Sequence, residues 1–169
     1  IQDEHRRFIT RLNKLANGLA GDYASRAETA MKTSMRNQFA GLITAIRQGP
    51  VNDEIDVMVN GMQIITASIT HESSRELQLA IGSKVFALIK ASSVMIGNDH
   101  DKKTINHFAA TVRNILHGEQ SSELIMHVSE GLALVSTLRN ADLDRLALKP
   151  GAITVASFAP SNVILGVAA

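Results

Sequence analysis

The sequence predicts a mainly α-helical fold, in which long amphipathic helices precede a small α+β domain. Two observations carry this prediction. Apolar residues recur in steps of three or four from Phe8 to Ile46, which is the spacing of one helical face. Further along the chain, short apolar runs bounded by serine, proline and glycine are typical of strands. We therefore expect a helical arm over residues 1–70 and a globular α+β domain over residues 71–169.

The predicted arm carries a continuous apolar stripe. The stripe is typical of a long amphipathic helix or a coiled coil, and it needs a second surface, which the same chain, a second copy or another protein could supply. We expect self-association through this stripe, with a homodimer as the expected state. Gly49-Pro50 should end the helix, because proline cannot continue the helical hydrogen-bond ladder. The residues assigned to self-association are Phe8, Leu12, Leu15, Leu19, Met35, Phe39, Leu42 and Ile46.

Two further helices are expected in the middle of the chain. The first should start at Asn52 or Asp53, which supply a capping side chain and acidic residues for the first turn, and should continue through Ser73 to about Met95. The second should run from about Lys102 to His117, with Gly118 at its C-terminal cap. We identify no internal repeat along the chain.

The spacing of apolar residues changes in the C-terminal region. Residues 123–128 form a short apolar run between serines and predict a strand with Leu124, Met126 and Val128 on one face. A helix is expected over residues 130–139. Alternation over residues 153–158 predicts another strand, with Val155 in the core, and residues 163–165 are expected to pair with it as a hairpin.

Composition and motifs argue against an enzyme. The chain has no cysteine, and its six histidines form no Glu-x-x-His pair of the kind that di-iron bundles use. Neither a Gly-x-Ser-x-Gly turn nor a glycine-rich phosphate loop occurs. We therefore predict no catalytic residue, no cofactor and no metal. A net charge of +1 gives no strong signal for nucleic acid, and no apolar run is long enough to span a membrane.

The order of elements over about residues 70–169 resembles the flagellar and type III secretion ATPase stator and regulator proteins, which are related to the peripheral-stalk E subunit of rotary ATPases. The run Leu77-Gln78-Leu79-Ala80-Ile81, with Lys84-Val85, looks like the helix that opens that domain. Residues 124–128 with Ser129 look like its apolar strand, and residues 153–156 with Gly166 look like its closing hairpin. The resemblance implies a coiled-coil adaptor that docks on a partner protein.

The function expected from the sequence is thus a non-enzymatic oligomerisation or adaptor protein, such as a secretion-ATPase stator. Its partners would be a second copy of the chain and another protein, and its location would be cytoplasmic or peripheral to a membrane. Two alternatives remain open: a helical-bundle sensor domain whose membrane anchor precedes Ile1, and a helical coat or nucleocapsid subunit whose basic arm meets nucleic acid.

Overall fold

The computed structural model describes residues 33–60, 63–97, 106–129 and 131–168, which form two five-stranded sheets and short helical turns. In chain order the elements are β1 (Asn37–Arg47), β2 (Asn52–Val59), β3 (Gln63–Thr70), α1 (His71–Glu76), β4 (Lys84–Ile89), a 3₁₀ turn (Ala91–Ser93), β5 (Met95–Ile96), β6 (Asn106–His117), β7 (Ser121–Ser129), β8 (Leu132–Arg139), α2 (Asn140–Arg145), β9 (Ile153–Phe158), a second 3₁₀ turn (Pro160–Asn162) and β10 (Val163–Gly166).

The described residues fall into two halves of the same design, which we call the first half (33–97) and the second half (106–168). Strands that start at residues 37, 52, 63 and 84 correspond to strands that start at 106, 121, 132 and 153, a constant shift of 69 positions. The short helix that starts at residue 71 recurs at residue 140 with the same shift. The chain therefore contains an internal repeat, and the expectation that it has none is wrong.

The halves exchange their last strands. The first sheet has the strand order β10-β4-β1-β2-β3, and the second has the order β5-β9-β6-β7-β8. Thus β5, from the first half, pairs with β9, while β10, from the second half, pairs with β4. All of these pairings are antiparallel. Neither sheet is complete without a strand from the other half.

One apolar core joins the two sheets. Its buried members come from both halves, and the largest fully buried side chains are Phe158, Ile43, Ile55, Ile65, Ile89, Leu124, Met126, Val57, Val59, Val85, Val112 and Val163. Burial of this kind stabilises a fold by about 1.5–3 kcal/mol for each large apolar side chain. Because the exchanged Val163 is part of the same cluster, the core ties the halves together.

Two equivalent asparagines, at the start of β1 and of β6, form hydrogen bonds that connect the two halves. The Asn37 amide donates to the carbonyl of Val135 (2.9 Å) and accepts from its backbone N–H (2.8 Å). The Asn106 amide makes the same two bonds with Thr66, at 2.9 and 2.8 Å. Both side chains are buried, so each amide acts as an extra strand residue for the edge strand of the opposite half. We call these contacts the asparagine clamps.

The predicted mainly α-helical fold is wrong, since β-strands dominate the described residues and the two α-helices within them have six residues each. Strands replace the expected helices over residues 37–47, 52–59, 63–70, 84–89, 106–117 and 132–139. The predicted arm boundary at residue 70 falls between β3 and α1. The part of the arm before residue 33 lies outside the described residues. None of the helices in the described part of the chain has the length and apolar character needed to cross a membrane.

β-Bulges explain the misleading helical spacing. The pairing of β1 with β2 slips between Ile43 and Ala45, and the pairing of β6 with β7 slips between Val112 and Asn114. A bulge inserts one residue and so shifts the alternation of faces by one position. Phe39 and Ile43 share the core face of β1, and the position between them on that face is Gly41, which has no side chain. The bulge then moves the next core contact to Ile46, and the resulting steps of four and three imitate a helix.

The C-terminal strand predictions are confirmed in position but not in pairing. β7, β9 and β10 include the expected strands, and Leu124 and Met126 are fully buried on one face of β7. The expected hairpin is wrong, because β9 pairs with β5 and β6 while β10 pairs with β4. The expected core face of β9 is also wrong: Thr154, Ala156 and Phe158 are buried, and Val155 is half-buried.

Candidate oxyanion-binding site

Two cationic residues leave the same end of the first sheet. The β1–β4 ladder pairs Asn37 with Ile89, and the next residue outward on each strand is Arg36 or Lys90. Their backbones therefore lie side by side where the two strands end. Both residues are exposed, and no ion pair involves Lys90 within the described parts of the chain. This end of the sheet concentrates positive charge at the surface.

Hydroxyl groups flank these two cations in the sequence. Thr33 and Ser34 come just before Arg36, and the 3₁₀ turn after Lys90 contains Ser92 and Ser93. The Thr33 Oγ1 accepts a hydrogen bond from the Met35 N–H at 2.8 Å, which folds this approach segment back on itself. Ser34 and Ser92 are exposed. Guanidinium, ammonium and hydroxyl groups together are the donors that suit a small oxyanion.

A carboxylate from the second half already contacts one of the cations. The Arg36 guanidinium donates to Glu123 Oε1 from Nε (2.9 Å) and from Nη2. The side chains are 56% and 27% exposed, so water reaches both partners. Glu123 lies on β7, in the sheet that the adjacent Asn37 clamp also reaches. The site is therefore built where the two halves meet.

The second half has no equivalent pair of charges. At the shift of 69 positions, Ala159 corresponds to Lys90, and in the sequence Ile105 corresponds to Arg36. The serine of the 3₁₀ turn is kept, because Ser161 corresponds to Ser92. The hydroxyl-bearing turn thus belongs to the shared fold, whereas the two cations are specific to the first half.

A second charged feature of the first half lies where β3 meets α1. The fully buried Asp53 carboxylate contacts His71 Nδ1 at 3.0 and 3.1 Å and accepts from the Gly49 N–H at 3.2 Å. Burial disfavours the charged form of this carboxylate and so acts to raise its pKa. The hydrogen bonds from His71 and Gly49 outweigh that effect and hold the pKa of Asp53 below its ordinary value. At the equivalent place in the second half, Ser122 donates to Asn140 without any charge.

Arg47 belongs to an exposed ionic group on the first sheet. Its guanidinium contacts Asp56 through two bonds of 2.9 and 2.8 Å and Glu54 through one of 3.1 Å. The hydrogen bonds from Arg47 lower the pKa of Asp56, and the two carboxylates in turn raise the pKa of Arg47. Arg47 is therefore committed to its own sheet, which leaves it less suited than Lys90 to bind an added anion.

Of the residues predicted for self-association, the four that the structure describes lie on β1 or just before it and form no helical stripe. Phe39 and Ile46 are half-buried against the core, Leu42 is buried, and Met35 lies before β1. Phe8, Leu12, Leu15 and Leu19 lie outside the described residues. Their part in an interface between copies stays a prediction. Among the described residues, no three histidine, cysteine or acidic side chains gather as a metal site.

A signal for the repeat was present in the sequence. The run Asn37-Gln38-Phe39-Ala40 recurs as Asn106-His107-Phe108-Ala109, at the shift of 69 positions. Aligning the halves on this run places Arg36 directly before a shared asparagine and Lys90 directly before a shared turn. The candidate cations could thus have been found as charges that one repeat has and the other lacks.

Comparison with known proteins supplies a family model and named relatives. The model described as "TOBE domain" matches residues 33–96 and again residues 103–165. The molybdenum transport protein ModE of Herbaspirillum seropedicae is 34% identical over an alignment of 170 positions, which covers 99% of this chain and 63% of that protein. A probable molybdenum-pterin-binding protein of Haemophilus influenzae is 36% identical over 67 residues, which are 40% of this chain and 97% of that protein.

Among solved structures, the cytoplasmic molybdate-binding protein ModG with molybdate bound superposes with a TM-score of 0.78. The identity is 37%, and the match covers 81% of this chain and 99% of that one. The chain spans less than two thirds of the ModE protein but nearly the whole of ModG.

These matches overturn the resemblance to the secretion-ATPase stators. The TOBE model covers both halves, including the residues on which that resemblance was based, and the fold has no coiled-coil arm within the described residues. The stator, the helical-bundle sensor and the helical coat subunit are therefore all wrong as functional predictions. The prediction of a non-enzymatic protein is confirmed, because the matched relatives are transport and binding proteins.

Proposed function

The chain belongs to the TOBE domain family, and we propose that it binds molybdate at the Arg36–Lys90 end of the first sheet. The observation that carries the proposal is the position of two cationic residues next to the last residue pair of one β-ladder, with a serine close to each of them in the sequence. Support comes from ModG, a molybdate-binding protein that shares the fold over nearly its whole length.

The donor set suits this anion chemically. Molybdate is a tetrahedral dianion whose oxygens accept hydrogen bonds but donate none. Arg36 offers a planar fork of N–H donors, Lys90 a compact charge with three donors, and Ser34 and Ser92 offer hydroxyl donors. Charge-assisted hydrogen bonds to an anion are about twice as strong as neutral ones. The site therefore favours a small, doubly charged oxyanion.

Titration calorimetry with sodium molybdate tests the proposal. The wild-type protein should bind molybdate, and Arg36→Gln combined with Lys90→Gln should weaken binding at least tenfold. Each lost charge-assisted bond is worth about 1.5–3 kcal/mol, and every 1.4 kcal/mol is tenfold. The matched control is Arg145→Gln with Lys149→Gln, which removes the same charge from exposed positions around α2 in the second half.

Equal weakening in the two double variants would show that overall charge, and not this site, attracts the anion. No binding by the wild-type protein would remove the proposal altogether. Sodium sulfate and sodium phosphate, added as competitors, measure how strongly the site selects among tetrahedral oxyanions.

We also propose that the chain self-associates. The exposed large apolar side chains would be covered by contact with another copy, and they include Ile153 (78% exposed), Ile81 (71%) and Val51 (69%). Sedimentation at several protein concentrations should give a mass above 18.2 kDa. Leu12→Asp with Leu19→Asp then tests the predicted arm, because loss of association in that variant would place the arm in the interface.

A cytoplasmic location, expected from the sequence, is supported by ModG, which is described as a cytoplasmic protein.

A further inference from the structure

The carboxylate of Glu123 contacts the guanidinium that the proposed anion would need. Arg36 directs both Nε and Nη2 at a single oxygen of Glu123. An arginine fork engaged in this way has fewer donors left for an incoming oxyanion, because the fork has a fixed planar geometry. An anion that reaches Arg36 must either displace Glu123 or share the guanidinium with it.

The neighbouring contacts hold Arg36 at this place without Glu123. The Asn37 clamp fixes the next residue to Val135 by two buried hydrogen bonds of 2.9 and 2.8 Å. The ladder with β4 begins at Asn37 as well. The Arg36 backbone is thus anchored by its neighbour, so the ion pair is not needed to position it.

The ion pair itself is of a strength that an anion can overcome. Both side chains are partly exposed, and ion pairs of this kind contribute little to stability, because water screens the two charges. A dianion that contacts Arg36 and Lys90 together would gain more than that. Glu123 therefore reduces the affinity of the site without closing it.

We propose that Glu123 is an internal competitor for the oxyanion at Arg36, so that the second half of the chain sets the affinity of the site in the first. This inference rests on the proposed function and adds to it a residue that tunes the same site from the opposite sheet. Occupation of the site would exchange an ion pair between the halves for contacts to the ligand. Anion binding would then be coupled to the way the halves meet.

The test measures molybdate binding by calorimetry in variants of the full chain. Glu123→Gln keeps the shape and removes the charge, and it should tighten binding about two- to fivefold, which corresponds to loss of an exposed ion pair. The matched control is Glu54→Gln at the equivalent position of the first half, where the carboxylate contacts Arg47. This control should change the affinity by much less.

A second variant separates direct competition from a general effect of charge. Glu123→Asp keeps the charge but shortens the side chain, which draws the carboxylate away from Arg36. Direct competition predicts tighter binding in this variant as well, whereas a general charge effect predicts the wild-type affinity. In an Arg36→Gln background, Glu123→Gln should have no effect, because the contested group is absent.

The outcomes distinguish this inference from the function on which it rests. If the wild-type protein binds molybdate and the Arg36–Lys90 variant does not, but both Glu123 variants bind as the wild type does, then the competition is wrong and the site stands. Weaker binding in Glu123→Gln would also overturn the inference, because it would make Glu123 a positioning residue for Arg36. No molybdate binding by the wild-type protein would reject the proposed function instead.

Discussion

The two halves of the chain share a backbone design but differ in where they place charge. Asn37 and Asn106 make the same clamp, and Gln78 and Ala147 adopt the same left-handed conformation after their short helices (φ 53° and 51°). By contrast, Arg36, Lys90, Asp53 and His71 have uncharged counterparts in the second half. Positions that both halves share therefore build the fold, and positions where they differ are the first place to look for function.

Substitutions at or next to the exchanged strands should cause the largest loss of stability, and they test whether the two halves depend on each other. Val94, just before β5, and Val163, in β10, occupy equivalent positions and are both buried. Replacing either by Asp places an unpaired charge in the shared core and should destabilise the protein by several kcal/mol. Urea unfolding should show one transition in both variants, because each strand completes the other half.

Ile164→Asp is the matched control, since Ile164 is the next residue along β10 and is about half exposed. It should cost much less than Val163→Asp. Two separate unfolding transitions in either variant would show that the halves are independent and that the exchange does not couple them.

A smaller effect is expected at the asparagine clamps. Asn37→Ala and Asn106→Ala each remove two hydrogen bonds and leave the backbone of Val135 or Thr66 without its partner. Leaving a buried polar group unpaired costs about 1–3 kcal/mol, and each variant leaves two such groups, so a loss of about 2 kcal/mol or more is expected. Similar losses at both positions would confirm that the clamps are equivalent.

Asn52→Ala, at an exposed position of β2, should change the free energy of unfolding by less than about 0.5 kcal/mol. A clamp variant that behaved like this control would mean that water replaces the lost amide at that half.

The smallest effect, and the one that depends on pH, concerns Asp53. Its pKa is lowered in the folded protein, so its contribution to stability is present above the ordinary aspartate pKa of about 3.9 and is lost as the pH falls through the lower folded value. In Asp53→Asn, stability should therefore fall less steeply with decreasing pH in that acidic range. Urea midpoints measured from pH 7 down to pH 2 give this slope.

Ser122→Ala, at the equivalent uncharged position, should leave the slope in the acidic range as it is in the wild-type protein. An unchanged slope in Asp53→Asn would show that other carboxylates cause the loss of stability at acidic pH.

The sequence predicted some strands well because their local pattern was undisturbed. β9 alternates between faces, follows the Pro150-Gly151 turn and carries no bulge in its pairing with β6. β1 and β6 were predicted as helices because a bulge in each shifts the inward face by one residue. Local periodicity cannot distinguish such a strand from an amphipathic helix without the partner strand.

The candidate site was not predicted, for a different reason. Arg36 and Lys90 become neighbours through the β1–β4 ladder, and Glu123 reaches Arg36 from the other sheet, 87 positions away in the chain. Such contacts depend on topology, which the apolar pattern does not specify. The Asn-x-Phe-Ala run that recurs at Asn37 and Asn106 was the available clue, since it reveals the repeat and thereby the equivalent positions.

The exchanged strand β10 also determines which of the two sheets can be completed first during translation. The second sheet draws its strands from residues 95–158, so all of them are available once Phe158 has left the ribosome. The first sheet must wait for residues 163–166, although most of it is synthesised first. Domains usually fold from the N-terminus as the chain emerges. Here the half that is made first is completed last, and until then β4 exposes an unpaired edge on the nascent chain.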